Sequence, residues 1–206
     1  MKPVSIRNSR LLDKLDLLAE EVLKCPHSWK VKSWSPTLAN LKEKMDNAEY
    51  DGYPDSTLVI DYAYKNVTTD LQNSRRILLA GFKNAISGKS PHWSYDGIYF
   101  MPPRYGHIDW HNDKNNPRKS IQFIWSGAKG YTIDCADGKL TKIPDRGGNI
   151  SQGKWSCIQT EFKRDGKTWM AHVNNGFRPR IVIDISIPNK YTFEYQEALS
   201  FIRRSV

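Results

Sequence analysis

The chain has 206 residues, a net charge of +9, 39% hydrophobic and 12% aromatic residues, a composition that excludes a disordered chain and suits one folded domain. No run approaches 18 apolar residues, which excludes a helical membrane span. Met1-Lys2-Pro3-Val4-Ser5 carries no apolar signal region, so a soluble, cytoplasmic protein with no membrane partner is expected.

The first ninety residues read as helical at both ends. Leu11, Leu12, Leu15, Leu18, Val22 and Leu23 recur at roughly helical spacing between Ser9 and Lys24, and Pro26 stops the pattern. Ser35-Pro36 suits a capped helix start carrying Leu38, Leu41 and Met45. Residues 58–64 suit a strand, and 70–87 another helix closed by Gly88. After Pro91 the texture changes to short β-rich runs: 97–101, 106–111, 120–126, 131–135, 155–162, 169–173 and 180–187. Turn signals fall at Asp137-Gly138, Gly147-Gly148, Asp165-Gly166 and Asn175-Gly176. Several short strands behind a helical front predict a β-sandwich or barrel buttressed by helices.

Strand parity predicts which face is which. In 180–187 every odd position is isoleucine, while Arg180, Val182, Asp184 and Ser186 share the other side. Ser120, Gln122 and Ser126 likewise oppose Ile121, Phe123 and Trp125. In 107–111 the same alternation sets His107, Asp109 and His111 against Ile108 and Trp110. A polar lumen with helices on the opposite face accounts for all three.

Two His-x-Asp steps stand in tandem, His107-Ile108-Asp109 and His111-Asn112-Asp113. The second is favoured for a metal because a polar loop, 113–117, follows it at the strand end, where a cavity can open. His107 and Asp109 would then face the lumen near the ion. Fifty-nine residues after Asp113 comes His172, in the apolar context Trp169-Met170-Ala171-His172-Val173, and eight further on Arg180 opens a strand. A lone histidine there would be read as a satisfied core residue. With His111 and Asp113 upstream it completes two imidazoles and one carboxylate, the set that binds a metal on one face and leaves positions open.

This ordered set resembles the 2-oxoglutarate/Fe(II)-dependent dioxygenase superfamily. The run Tyr99-Phe100-Met101-Pro102-Pro103-Arg104-Tyr105-Gly106 resembles the family's approach to its first motif, with Arg118 and the strand 120–126 following as expected. His172 through Arg180-Ile181-Val182 resembles its closing motif. The resemblance covers about residues 97–187. It implies an α+β fold, a double-stranded β-helix (jelly-roll, cupin-like) barrel buttressed by N-terminal helices. It implies a single oxygenase domain over 1–206: mainly helical support in 1–90, a β-helix core in 91–190, and a tail or short helix in 191–206. His111, Asp113 and His172 would ligate Fe(II). Arg180, rather than its competitor Arg178, would hold the distal carboxylate of 2-oxoglutarate through a two-bond fork. O2 would complete the set, and the carboxylate at Asp113 implies hydroxylation rather than halogenation. Val182 departs from the family, where Ser or Thr often stands two residues after the Arg. The missing hydroxyl would come from Tyr99 or Tyr105.

The primary substrate implied is a protein side chain or amino acid, with succinate and CO2 released. A nucleic-acid substrate stays open because residues 91–206 contribute +6 of the charge and hold basic residues near the motifs (Arg104, Lys114, Arg118, Lys119, Lys163, Arg164, Lys167). Two other classes stay open: a hydrolase using His107, Asp109, His111 and Asp113 for one or two metals, and a non-enzymatic, nucleic-acid-binding β-barrel. Cys25, Cys135 and Cys157 have no Cys-x-x-Cys spacing, against both a zinc cluster and a disulfide framework.

Overall fold

In a computed structural model, residues 1–25, 39, 42–43, 46, 58–60, 68–85, 94–104, 106–113, 115, 117–127, 129–145 and 155–205 are described, with backbone alone at 58–60, 94–96 and 109. The helix expected from Ser35 and the turn at Gly147-Gly148 lie largely outside them.

Three helices are described. Helix α1 (Ser9–Lys24) buries Leu11, Leu15, Leu18, Ala19 and Val22, one stripe at helical spacing. Asn8 caps it: its Oδ1 accepts the N–H of Leu11 at 3.0 Å. Helix α2 (Thr69–Ala85) buries Leu71, Leu78 and Phe82. Helix α3 (Thr192–Arg203) buries Tyr195, Ala198, Leu199 and Ile202. The Asn8 amide also donates to Phe201 O at 3.0 Å, tying the start of α1 to α3. Asn8→Ala should therefore cost about 1–2 kcal/mol, the upper part of the N-cap range, in a urea unfolding titration.

Among the described residues, ten strands form two antiparallel sheets. One has the order β1 (Lys2–Val4), β8 (Trp155–Glu161), β5 (Arg118–Ser126), β10 (Arg180–Pro188), β3 (Ser94–Met101), β2 (Leu58–Ile60). The other runs β4 (Gly106–His111), β9 (Thr168–Asn174), β6 (Gly130–Ala136), β7 (Lys139–Pro144). From β3 to β10 the chain passes repeatedly between the sheets, which pack face to face through Tyr99, Met101, Ile124, Ile158 and Val182 on one side and Ile108 on the other. Among the described residues the sheets do not close into a continuous barrel. The fold is an α+β double-stranded β-helix.

The parity of β10 and β5 holds. Ile181, Ile183, Ile185 and Ile187 join Ile121, Phe123 and Trp125 in one apolar cluster with the three helices. Their even-numbered neighbours line the space between the sheets. Two strands escape the sequence pattern, β1 and β7. Strand β7 pairs with β6 across Asp137-Gly138, both at positive φ (50° and 75°) as a tight hairpin turn requires. It is an edge strand with Lys139 and Lys142 exposed, charges that keep an edge from pairing further but erase the apolar alternation.

Candidate functional site

The inner face of the β-helix is polar by the same period of two that makes its outer face apolar. Burial of such groups is costly unless they are bonded. Asp184 is satisfied by Ser120 Oγ (2.7 Å) and Gln122 Nε2 (3.0 Å). The amino group of Met1 lies 2.6 Å from Asp134 Oδ2. Three inward atoms, Gln122 Oε1, Ser126 Oγ and Asp134 Oδ1, have no hydrogen-bond partner among the described residues.

Arg180, at the head of β10, is fully buried. Its five N–H groups all meet acceptors. Nε donates to Asp145 Oδ2 and Nη2 to Asp145 Oδ1, each at 2.8 Å. Nη2 also donates to Thr132 Oγ1 at 2.9 Å, and Nη1 reaches His172 Nδ1 at 3.1 Å and Met101 Sδ at 3.9 Å. Asn174 holds the turn that delivers this arginine, its amide donating to Pro102 O (2.8 Å) and Arg178 O (2.9 Å). Arg178 itself is exposed and lies against Gly127. Neither Asp145 nor Thr132 was legible as a partner of Arg180. Asp145 follows the strand that the pattern hides, and Thr132 meets Arg180 only because the two sheets face each other. The hydroxyl at Arg180 is therefore that of Thr132. Tyr99 is buried on the inner face opposite Val182, and Tyr105 lies outside the described residues.

His172 is buried on the inner face of β9. Burial first, then the Arg180 guanidinium, then the His111 imidazole hold its pKa well below the ordinary 6.5. Between the folded and unfolded values the unfolded chain binds the extra proton, so stability falls as pH drops below about 6.5. With a chelator present, the wild type should lose up to about 1.4 kcal/mol per pH unit from this residue, against a flatter profile in His172→Gln. Melting temperatures from pH 7.5 to 5.5 would read the difference. Since a guanidinium only donates, Nδ1 accepts from Arg180 and the neutral ring carries its proton on Nε2. For Nε2 to donate to a metal, that proton would sit on Nδ1, where Thr132 (3.0 Å) can accept it and Arg180 cannot.

The β4–β9 register corrects the parity expected in 107–111. Ile108 pairs with His172, but His111 pairs with Met170, so a bulge lies between. A bulge re-aims the residues beyond it. His111 thereby shares the inner face with His172, as its diagonal neighbour. His107 stands opposite Val173, on the outer-face side with Ala171 and Trp169, rather than in the lumen. The dense His107-to-Asp113 cluster of the hydrolase reading is thus divided between faces. Asp109 lies within the bulge, and its side chain is outside the described residues.

Asp113, just past β4, adopts φ 45° and lies 3.0 Å from Arg118 through its Oδ2, yet that buried atom accepts no aligned hydrogen bond among the described residues. Arg118 also sits over the Phe162 ring, which packs near His111. Two imidazoles on one face and an imperfectly bonded carboxylate two residues after His111 are the donor types that suit a divalent metal. Their side chains are turned elsewhere, Asp113 to Arg118 and His172 to Arg180. Among the described residues no three His, Cys, Asp or Glu side chains converge on one point.

The other reactive groups offer less. Cys25, Cys135 and Cys157 are buried, and burial raises each thiol pKa, which keeps them protonated. Of the basic residues near the motifs, Lys119 donates to Asn189 O and Thr192 Oγ1, and Arg104 with Lys129 flanks the exposed ring of Phe177. No helix among the described residues is long and apolar enough to cross a membrane.

No family model matches the chain, and no curated protein does. Some solved structures are similar to the chain at low identity. A prolyl hydroxylase from Trichoplax adhaerens, in complex with a hypoxia inducible factor peptide, has a TM-score of 0.46 and 11% identity over 97% of this chain and 86% of that one. A Klebsiella pneumoniae protein with a double-stranded β-helix domain has a TM-score of 0.29 and 12% identity over 52% of this chain and 86% of that one. A predicted oxalate decarboxylase from Thermotoga maritima has a TM-score of 0.30 and 18% identity over 45% of this chain. The chain spans 64% of the length of that protein.

Proposed function

We propose that the chain is a 2-oxoglutarate- and Fe(II)-dependent oxygenase that hydroxylates an amino-acid side chain, free or within a protein. The observation that carries the reading is Arg180. It is a wholly buried guanidinium on the inner face, beside His172, that binds a carboxylate through two bonds of 2.8 Å. His111, Asp113 and His172 would hold the metal, and Arg180 with Thr132 would orient the distal carboxylate of the keto-acid. Bound there, iron(II) would supply O2 activation and substrate hydrogen removal, with 2-oxoglutarate leaving as succinate and CO2. The protein's part is ligation, orientation and exclusion of water. Tyr99, Ile108, Ile124 and Val182 give the inner face the apolar lining that this exclusion needs.

The test is thermodynamic coupling between the two ligands. Mn(II), a redox-silent stand-in for iron, should bind more tightly when 2-oxoglutarate is present, and 2-oxoglutarate more tightly by the same factor when Mn(II) is present. Calorimetric titrations read both. Two affinities independent of each other would mean that metal and keto-acid share no site, which contradicts the reading.

A further inference from the structure

The Arg180 fork already holds a carboxylate, and the surrounding chain is shaped to place it there. Asp145 follows the last residue of β7, and its own N–H donates to Gly130 O at 2.9 Å. Gly130 has no side chain where a Cβ would meet Asp145 Oδ2 and stand 2.9 Å from Arg180 Nε. The Asp145 side chain is 2% exposed, although the residue as a whole is only half-buried, so its main chain reaches the surface while its carboxylate is tucked inward. One planar guanidinium edge accepts one carboxylate in two parallel bonds and has no room there for a second.

We propose that Asp145 is an internal carboxylate occupying the Arg180 fork in place of the distal carboxylate of 2-oxoglutarate, so that the cosubstrate binds by displacing it. The inference rests on the reading of Arg180 as the cosubstrate clamp. Asp145 then sets cosubstrate affinity without touching the metal. A site that is free in only a fraction of molecules binds its ligand more weakly by that fraction. It also discriminates among keto-acids: only one with a second carboxylate can exchange places with Asp145.

The experiment compares the wild type with Asp145→Asn, which keeps the shape of the side chain but not its charge, by thermal melts. Three probes are used, first with a chelator: glutarate, with two carboxylates and no keto group; 2-oxoglutarate; and pyruvate, with the keto group and no distal carboxylate. Asp145→Asn should melt lower than the wild type. Glutarate should restore it, binding at least about tenfold more tightly than to the wild type, while pyruvate restores neither. If glutarate stabilises Asp145→Asn no more than the wild type, the inference is overturned. Should the variant fail to fold alone, recovery of folded protein in glutarate but not in pyruvate supports the inference, and no recovery overturns it. Mn(II) is then added. An extra stabilisation by 2-oxoglutarate that glutarate lacks is the mark of keto-acid chelation. Its absence, with the glutarate effect intact, contradicts the oxygenase reading and leaves the exchange of carboxylates standing.

Discussion

Arg180→Ala should lower the free energy of unfolding by about 3–5 kcal/mol, because it strands the buried carboxylate of Asp145 and unbonds Thr132 and His172 together. The reason is asymmetry. Two buried charges that satisfy each other roughly balance their desolvation, whereas one left alone keeps the whole penalty. Asp145→Ala should cost a similar amount. Changing both at once, Arg180→Met with Asp145→Leu, should cost far less than the two single losses added, since no unpaired charge is left behind. Urea titrations of the four proteins test the comparison. Single losses below about 1 kcal/mol, the range of exposed pairs, would mean that the pair is open to water.

His172→Ala should produce the largest loss of metal binding. Of the proposed ligands, His172 is the most deeply buried, and Thr132 is placed to accept the Nδ1 proton of a metal-binding ring. Removing an orienting partner alone costs about 10–100-fold in affinity at metal sites, so removing the ligand should cost at least that. Thr132→Val, which keeps the volume and deletes the hydroxyl, should fall between the wild type and His172→Ala. Mn(II) titrations read all three. Unchanged affinity in His172→Ala would remove it from the ligand set.

The β-helix was legible where one face of a strand meets helices and the other meets polar groups, as in the isoleucine run of β10. Local periodicity suffices there because both environments are continuous along the strand. It failed in β4, where a bulge inserts one residue and turns His111 inward while His107 stays out. It failed again in β7, where the solvation of an edge replaced apolar alternation with lysines. The candidate site rests in the sequence on types and order alone, an imidazole-and-carboxylate set with a trailing arginine. What was hidden is long-range: Asp145 and Thr132 reach Arg180 from 35 and 48 residues away, across the gap between sheets. Arg118 facing Asp113 was hidden likewise, because a loop conformation at φ 45° decides it.

On the proposed reading, one inner-face site takes both Fe(II) and 2-oxoglutarate. Adding the keto-acid to the Fe(II)-loaded wild-type protein without oxygen tests it most directly. A visible charge-transfer absorption of the chelated keto-acid should appear, be absent in His172→Ala and need far more 2-oxoglutarate in Arg180→Gln. A folded wild-type protein that binds Fe(II) and shows no such absorption at any 2-oxoglutarate concentration would contradict it.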